Sequence, residues 1–161
     1  MSRHAVLAIL VAQVLIACGD DGGGDDDGGG DPPLFPADYA ATYQQVRNCR
    51  NSLDHDLMRI RVLAAPEALA SYNMRNAPFP AGAIVLKEEY AMSDTTCSGP
   101  IMNFTVMQKL ATGSSAATLD WSWQEVSGDR RTTTTDVRSC TGCHSDCGKP
   151  PDGFDGTCTV P

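Results

Sequence analysis

The sequence predicts an α+β fold, in which one or two helices cover a mainly antiparallel β-sheet. Two observations support this class. Several short segments have the alternation or the β-branched and aromatic content of strands, with turn-forming residues between them, and two other segments have helical spacing. No internal repeat is visible, and about 128 residues, 34–161, suit a single domain with one core.

The predicted elements run in the order helix, strand, helix and then a meander. The first helix is expected over residues 38–50, because aromatic and apolar side chains recur there about once per helical turn. Residues 58–62 alternate apolar and basic side chains, and a short helix with proline in its first turn follows at 66–72. Further strands are expected at 83–90, 101–110 and 119–126.

Two of these strands carry side chains that bear on function. In the strand 83–90, alternation places Lys87 on the face that carries small apolar residues, although an ordinary lysine would extend its ammonium group to water. In the last strand, Trp121 and Trp123 point the same way, as core residues do.

Residues 140–144, Cys-Thr-Gly-Cys-His, have the spacing of c-type haem attachment. Two thiols about one turn apart can each add to a vinyl group on the same porphyrin edge, while the adjacent imidazole binds iron. We therefore predict that the domain ends in a haem-attachment segment with one covalent haem c on Cys140 and Cys143 and His144 as axial iron ligand. Two alternatives stay open here, a disulfide between the two cysteines and a zinc ion on these three residues and Cys147.

The N-terminal residues have the features of an export signal. Residues 1–17 are a short, almost uninterrupted apolar run behind a basic head, which predicts a signal peptide. The run ends in Leu-Ile-Ala-Cys, which resembles a bacterial lipobox and predicts that Cys18 is lipidated; a plain secretory signal is the alternative. Residues 18–33 would then be the lipidated cysteine and a Gly/Asp-rich tether without side chains for a core.

Charge and anchor together predict the location. The chain has a net charge of −8, and the tether contributes six aspartates, so the domain is only mildly acidic and has no nucleic-acid surface. We expect a protein attached to membranes by its lipid alone, in the bacterial cell envelope, facing the periplasm or the cell surface. Gly19 follows the lipidated cysteine, which favours the outer membrane.

Exported proteins occupy a compartment in which disulfides persist. With Cys18 and the two haem cysteines set aside, four cysteines remain, and three pairings are possible. We prefer Cys49 with Cys97 and Cys147 with Cys158, because the second bond would tie down a Gly/Pro-rich tail.

An ordered set of motifs resembles the cytochrome P-460 family over about residues 55–147. The motifs are Phe79-Pro80-x-Gly82 with Ile84-Val85-Leu86-Lys87-Glu88, then Thr105-Val106-Met107-x-Lys109, Asp120-Trp121-x-Trp123 and Cys140-x-x-Cys143-His144. The resemblance implies a mainly β domain with one haem c, whose five-coordinate iron oxidises hydroxylamine and reacts with nitric oxide. It also implies a lysine bonded to the porphyrin ring, and Lys87 matches that lysine.

The resemblance directs attention to residues around the haem. Phe104 is expected in the distal pocket, and Trp121 is expected against the porphyrin. The family's namesakes use a distal carboxylate to move protons, and this chain has none near Phe104, which brings it closer to the related cytochromes c′-beta. Glu88 or Glu89 are the candidate substitutes. His55 is a candidate distal ligand or proton carrier, or simply a polar surface residue.

Three functions remain open at this stage. The first is a haem oxidoreductase for a small nitrogenous substrate, with a redox partner protein. The second is a protein that binds nitric oxide or carbon monoxide without turnover. The third is an electron carrier, and a homodimer is compatible with each of the three. In the third case a sixth iron ligand would come from one of the residues His55, Met58, Met74, Met92, Met102 or Met107.

Overall fold

The structure is a computed structural model that describes residues 30–52, 55, 57–135, 137–151 and 153–158. The predicted signal peptide, Cys18 and the tether up to residue 29 lie outside the described residues, so export and lipidation stay predictions. Within the described part of the chain, no helix has the length and apolar content needed to span a membrane.

The described chain forms one antiparallel sheet of six strands, and each strand pairs with the next along the sequence. The strands are β1 (Gln44–Asn51), β2 (Arg59–Ala64), β3 (Ile84–Tyr90), β4 (Ile101–Lys109), β5 (Trp121–Ser127) and β6 (Thr132–Thr134). The predicted α+β fold with a mainly antiparallel sheet is therefore confirmed.

The α-helices of the described residues are short. They are α1 (Tyr39–Thr42), α2 (Leu69–Met74) and α3 (Val137–His144). A single 3-10 turn at Pro66–Ala68 leads into α2, so the short helix predicted at 66–72 is present, with proline in its first turn. Further 3-10 turns lie at Ala116–Thr118, before β5, and at Ser145–Cys147, after α3. The Cys-x-x-Cys-His motif occupies the second half of α3.

The helix predicted over residues 38–50 is wrong. Helix α1 covers four residues and ends at Thr42. The backbone of Tyr43 is extended, and the remainder of the segment is strand β1. Two register shifts interrupt the pairing of β1 with β2. Such bulges break the two-residue alternation by which a strand is recognised in a sequence. The apolar spacing therefore imitates a helix, while pairing with β2 satisfies the backbone of β1.

Each face of the sheet has its own apolar core. The face that we call the cavity face carries Val62, Val85, Met107 and Trp123. The opposite face carries Leu63, Leu86, Phe104 and Val126, and Phe35 and Tyr39 cover it. Strand β3 is buried along its whole length because both of its faces are covered. Alternation along β3 then places Lys87 and Glu89 on the cavity face and Glu88 on the opposite face.

Two disulfides close parts of this fold, Cys49–Cys97 and Cys147–Cys158, which is the pairing preferred from the sequence. They span 48 and 11 residues. Because the entropy removed from the unfolded chain grows with loop length, replacing Cys49 and Cys97 with alanine should lower the free energy of unfolding by about 4 kcal/mol. The same replacement of Cys147 and Cys158 should cost about 3 kcal/mol. Urea unfolding of both variants tests this order, and a larger loss from the shorter loop would contradict it.

Candidate functional site

A cavity of about 780 Å³ lies between the cavity face of the sheet and helix α3. This volume is within the range of about 300–1,000 Å³ that small-molecule and cofactor sites have. Helix α3 contributes Cys140, Cys143 and His144 to the wall, and the sheet contributes Lys87. The motif and the lysine singled out in the sequence therefore face one cavity.

The strand register arranges the sheet wall of this cavity in three rows across the strands. The rows are Arg50, Ile60 and Glu89; Lys87, Thr105 and Glu125; and Met107 with Trp123. Apart from Ile60, the side chains of the first two rows are charged or polar, and the third row is apolar. The cavity is therefore polar at one end of the strands and apolar at the other.

The two motif cysteines lie three positions apart on α3, which places them on the same side of the helix. Neither forms a disulfide. Cys140 is half-buried and Cys143 is exposed, and both line the cavity. The disulfide between Cys140 and Cys143, which the sequence left open, is therefore not formed in the structure. The structure also argues against the zinc alternative, because the fourth ligand that zinc would need, Cys147, is bonded to Cys158.

His144 ends α3 with a buried imidazole ring that is only 7% exposed. Its centroid lies 4.7 Å from that of the Trp123 ring. Its Nδ1 lies 2.5 Å from the carbonyl oxygen of Gly156, so Nδ1 carries the proton and donates it to that oxygen. Burial first, and the nearby Lys87 ammonium second, lower the pKa of His144 to about 4. The ring is therefore neutral, with the lone pair of Nε2 available to a metal ion.

The partner of His144 belongs to a C-terminal segment, residues 148–158, that we call the strap. The Cys147–Cys158 disulfide closes the strap, and the backbone amide of Gly156 donates to the carbonyl of Cys147 at 3.1 Å. Gly156 has a φ of +83°, and a Cβ added there would lie 3.2 Å from Nε1 of Trp121. Glycine thus permits both the left-handed turn and the close approach that present this carbonyl to His144.

Asp155 anchors the strap to the sheet. Its carboxylate accepts hydrogen bonds from Nζ of Lys109 at 2.8 Å and from the backbone amide of Phe79 at 3.1 Å. Its carbonyl accepts one from Nε1 of Trp121 at 2.8 Å. The Lys109 side chain is 3% exposed, so this ion pair is largely removed from water on the lysine side. The strap therefore holds the Gly156 carbonyl against His144 through contacts made one residue earlier.

Lys87, His55 and Glu89 form a polar chain in the cavity. Nζ of Lys87 lies 2.5 Å from Nε2 of His55, and Nδ1 of His55 lies 3.3 Å from Oε1 of Glu89. The hydroxyl of Thr105 donates to the same oxygen at 3.3 Å. Lys87 and Glu89 are buried, at 8% and 6% exposure. His55, whose side chain is 23% exposed, is therefore not simply a polar surface residue, because it lines the cavity and contacts Glu89 there.

The structure corrects the placement of Phe104. Its partner across the strands is Glu88, so register places it on the opposite face, where its ring packs 5.0 Å from Phe35 and 5.6 Å from Tyr39. Glu88 accepts hydrogen bonds on that face from the hydroxyls of Tyr39 and Tyr90, each at 2.8 Å. Burial first, and the bonds to Glu88 second, raise the pKa of both tyrosines well above its usual value. Neither Phe104 nor Glu88 serves the cavity, and Glu89 is the carboxylate that does.

Trp121 was expected against the cofactor, and the structure gives it a different role. It is fully buried in the core of the cavity face and contacts the strap through Asp155, while Trp123, two positions on, is the tryptophan that lines the cavity. The sequence identified the correct face but could not decide which of the two lies nearer the motif helix.

Few of the proposed sixth ligands are near this cavity. Met74, Met92 and Met102 are exposed side chains. Met107 and His55 line the cavity, and Met58 does not. An electron carrier with a methionine ligand would therefore depend on Met107.

These observations fit a c-type haem. A neutral imidazole with its distal nitrogen available, two thiols on one helix face and a cavity of cofactor size converge on one place. The apolar row of Met107 and Trp123 suits a porphyrin face, and the polar rows suit substrate and charge.

The burial of neutral His144 predicts a pH dependence for the apoprotein, made without haem attachment. The pKa of His144 is about 4 in the folded chain and about 6.5 when unfolded, so the unfolded state binds a proton that the folded state does not. Stability should therefore fall by about 3 kcal/mol as pH drops from about 7 to about 4. Urea unfolding across this range measures the loss. His144→Gln should lack this part of the slope, and equal slopes in both proteins would contradict the prediction.

The sequence model of the family described as Cytochrome P460 matches residues 36–150, which is more than half of the chain. The match covers the whole sheet and helix α3. No curated protein matches the chain.

Proposed function

Because the chain belongs to the cytochrome P460 family, we propose that it is an exported cytochrome with one covalent haem c that oxidises hydroxylamine or reacts with nitric oxide. The family implies the haem cofactor. The substrate, the covalent attachment and a redox partner protein are proposed.

Helix α3 provides the groups that would hold the haem. The thiols of Cys140 and Cys143 would form the thioethers, and Nε2 of His144 would bind the iron. The bound haem would supply an iron that takes electrons from the small nitrogenous substrate and passes them to the redox partner. The hydrogen bond from Nδ1 to Gly156 orients the His144 ring and increases its basicity.

We propose that Lys87 bonds to the porphyrin ring, as the family resemblance implies. The Lys87 side chain lines the cavity, and so does His144, the proposed iron ligand. A new C–N bond would replace one N–H of the amine and one C–H of the ring. Its formation therefore passes two hydrogens to an oxidant, such as a peroxide.

The observation that carries the catalytic proposal is the contact of Glu89 with His55 in the cavity. Hydroxylamine loses a proton with each electron, so a base within hydrogen-bond reach assists its oxidation. Oε1 of Glu89 is positioned to accept protons, and His55, bonded between Lys87 and Glu89, is positioned to move them. We therefore propose Glu89 as the substitute for the distal carboxylate whose absence favoured simple gas binding.

We place this activity in the bacterial cell envelope. The support is the signal-like run at 1–17, the lipobox-like cysteine Cys18 and two disulfides, which persist in oxidising compartments. Labelling with a radioactive fatty acid should mark the wild-type chain and fail to mark Cys18→Ala.

The proposal is tested by the ferrous absorption spectrum of the full chain matured with c-type attachment machinery. A lysine bonded to the ring should shift the Soret band strongly to longer wavelength. Lys87→Ala and Lys87→Arg should both return it to an ordinary c-type position, and the arginine variant controls for loss of the positive charge.

Turnover separates the remaining functions. Steady oxidation of hydroxylamine with an artificial electron acceptor would support the enzyme. Tight nitric oxide binding by fully loaded protein without turnover would replace it with a gas-binding function. A six-coordinate, low-spin spectrum that resists added ligands would replace it with electron transfer.

A further inference from the structure

Arg50 lies at one corner of the cavity. It is near the end of β1, in the row that continues through Ile60 and Glu89, and its half-buried side chain lines the cavity. Asn51 and Ser52 line the wall beside it. Arg50 belongs to the segment 38–50 that was predicted as a helix, and the family resemblance gave it no role.

The cysteine-bearing helix lies at the other corner. Helix α3 packs against β5, where the rings of His144 and Trp123 meet. Four strand spacings, or about 19 Å, separate β1 from β5. Arg50 also belongs to the first of the three rows, whereas Trp123 belongs to the third. The cavity thus extends diagonally across the sheet from the thiols to the guanidinium.

The charge of Arg50 has no acidic partner among the described residues, whose ion pairs involve other side chains. Burial first, and the neighbouring Arg47 second, lower the pKa of its guanidinium. A charge held partly out of water beside a like charge is unfavourable unless an anion joins it.

The other charged groups of the cavity are distributed differently. Lys87 is bonded to His55, and Glu89 is bonded to His55 and Thr105. Glu125 on β5 and Asp146 beyond α3 also line the cavity. Because Arg50 has no acidic partner among the described residues, its guanidinium would attract an anionic group of a ligand in the cavity.

We propose that Arg50 binds a carboxylate of the cofactor, a haem propionate, through its guanidinium. In a porphyrin joined to Cys140 and Cys143 by its vinyl edge, the propionates leave the opposite edge. They would thus extend toward the corner that Arg50 occupies. A guanidinium offers paired N–H donors that match a carboxylate. This inference rests on the covalent haem in the proposed function and is independent of hydroxylamine oxidation.

The test is the reduction potential of the haem-loaded full chain and its dependence on pH. Arg50→Gln removes a positive charge and leaves the propionate uncompensated, which stabilises ferric iron. We expect the midpoint potential to fall and its pH-dependent segment to move to higher pH. Arg50→Lys should retain most of the wild-type behaviour. Arg47→Gln is the matched control. It also removes one positive charge from β1, but the Arg47 side chain does not line the cavity, so the midpoint potential should change little.

Two further results would overturn the assignment. The first is an Arg50→Gln potential equal to that of Arg47→Gln. The second comes from wild-type protein, so it does not depend on the folding of a variant. Infrared spectra of isotope-labelled propionates should show one carboxylate that stays ionised well below its usual pKa. Ordinary titration of both propionates would show that Arg50 does not bind the cofactor.

An external anion is the other source of a carboxylate-like ligand. Acetate and nitrite titrations of wild-type protein distinguish an external anion from the propionate. A saturable change in the spectrum that Arg50→Gln abolishes would assign Arg50 to an external anion, and the absence of any change supports the propionate. Protein that matures without haem would contradict the covalent haem of the proposed function. The reduction potentials of haem-loaded protein test only the role of Arg50.

Discussion

Glu89→Gln is expected to lower kcat/KM for hydroxylamine by about 10²–10⁴-fold, the usual contribution of a positioned proton acceptor. Glutamine has the size and shape of glutamate and can still accept a hydrogen bond from Thr105, but its amide cannot take a proton at neutral pH. The effect should be specific because Glu89 is buried at 6% exposure and contacts His55 on the cavity side. Steady-state kinetics with an artificial electron acceptor measure it.

The matched control for this variant is Glu125→Gln. Glu125 lines the same cavity, in the row of Lys87 and Thr105, but its side chain is exposed, whereas Glu89 is buried. It should retain near wild-type turnover. Both variants should load haem fully and show wild-type spectra. Equal losses in the two would mean that Glu89 contributes only charge, and the assignment of proton transfer to Glu89 would then be wrong.

Asp155→Ala is expected to lower the free energy of unfolding by about 3 kcal/mol, because it leaves the buried ammonium of Lys109 without its partner. The aspartate side is 24% exposed, which keeps the expected cost at the low end of the range for a broken buried pair. The strap would also lose its hydrogen bond to the amide of Phe79. Urea unfolding of the oxidised protein measures the change.

A double-mutant cycle isolates the buried charge as the cause. Lys109→Met removes the charge, so the double variant Lys109→Met with Asp155→Ala should be more stable than Asp155→Ala alone. Asp129→Ala breaks the pair with Arg131, which is largely exposed on both sides, and should leave stability unchanged. A double variant that is less stable than either single variant would show that geometry, rather than the unpaired ammonium, decides the cost.

Several local features of the fold could be predicted because their causes are local. Strand β3 was recognised from the apolar run Ile84-Val85-Leu86 at its start, and the two motif cysteines, which were expected about one turn apart, lie on helix α3. The Cys147–Cys158 disulfide was predicted because a Gly/Pro-rich tail needs a covalent bond to hold it in place. Strand β1 was missed because two bulges remove the alternation by which it would be recognised.

The site was only partly predictable. Alternation within β3 separates Lys87 and Glu89 from Glu88, and this was visible in the sequence. Whether Phe104 on β4 shares the face of Lys87 depends on register, and a shift of one residue reverses the answer. The register pairs it with Glu88, so the residue expected in the pocket lies on the other side of the sheet.

The sequence by itself determined the chemistry of this protein: which thiols, imidazole and lysine are present, and at which spacings along the chain. Only the tertiary structure decided which groups join them. Arg50, His55, Glu89 and the carbonyl of Gly156 come from β1, from the loop before β2, from β3 and from the strap, and nothing in their sequence separation relates them. The reason is physical. Local bonding specifies a helix or a strand, whereas antiparallel register and the closure of the strap determine which distant side chains share one cavity.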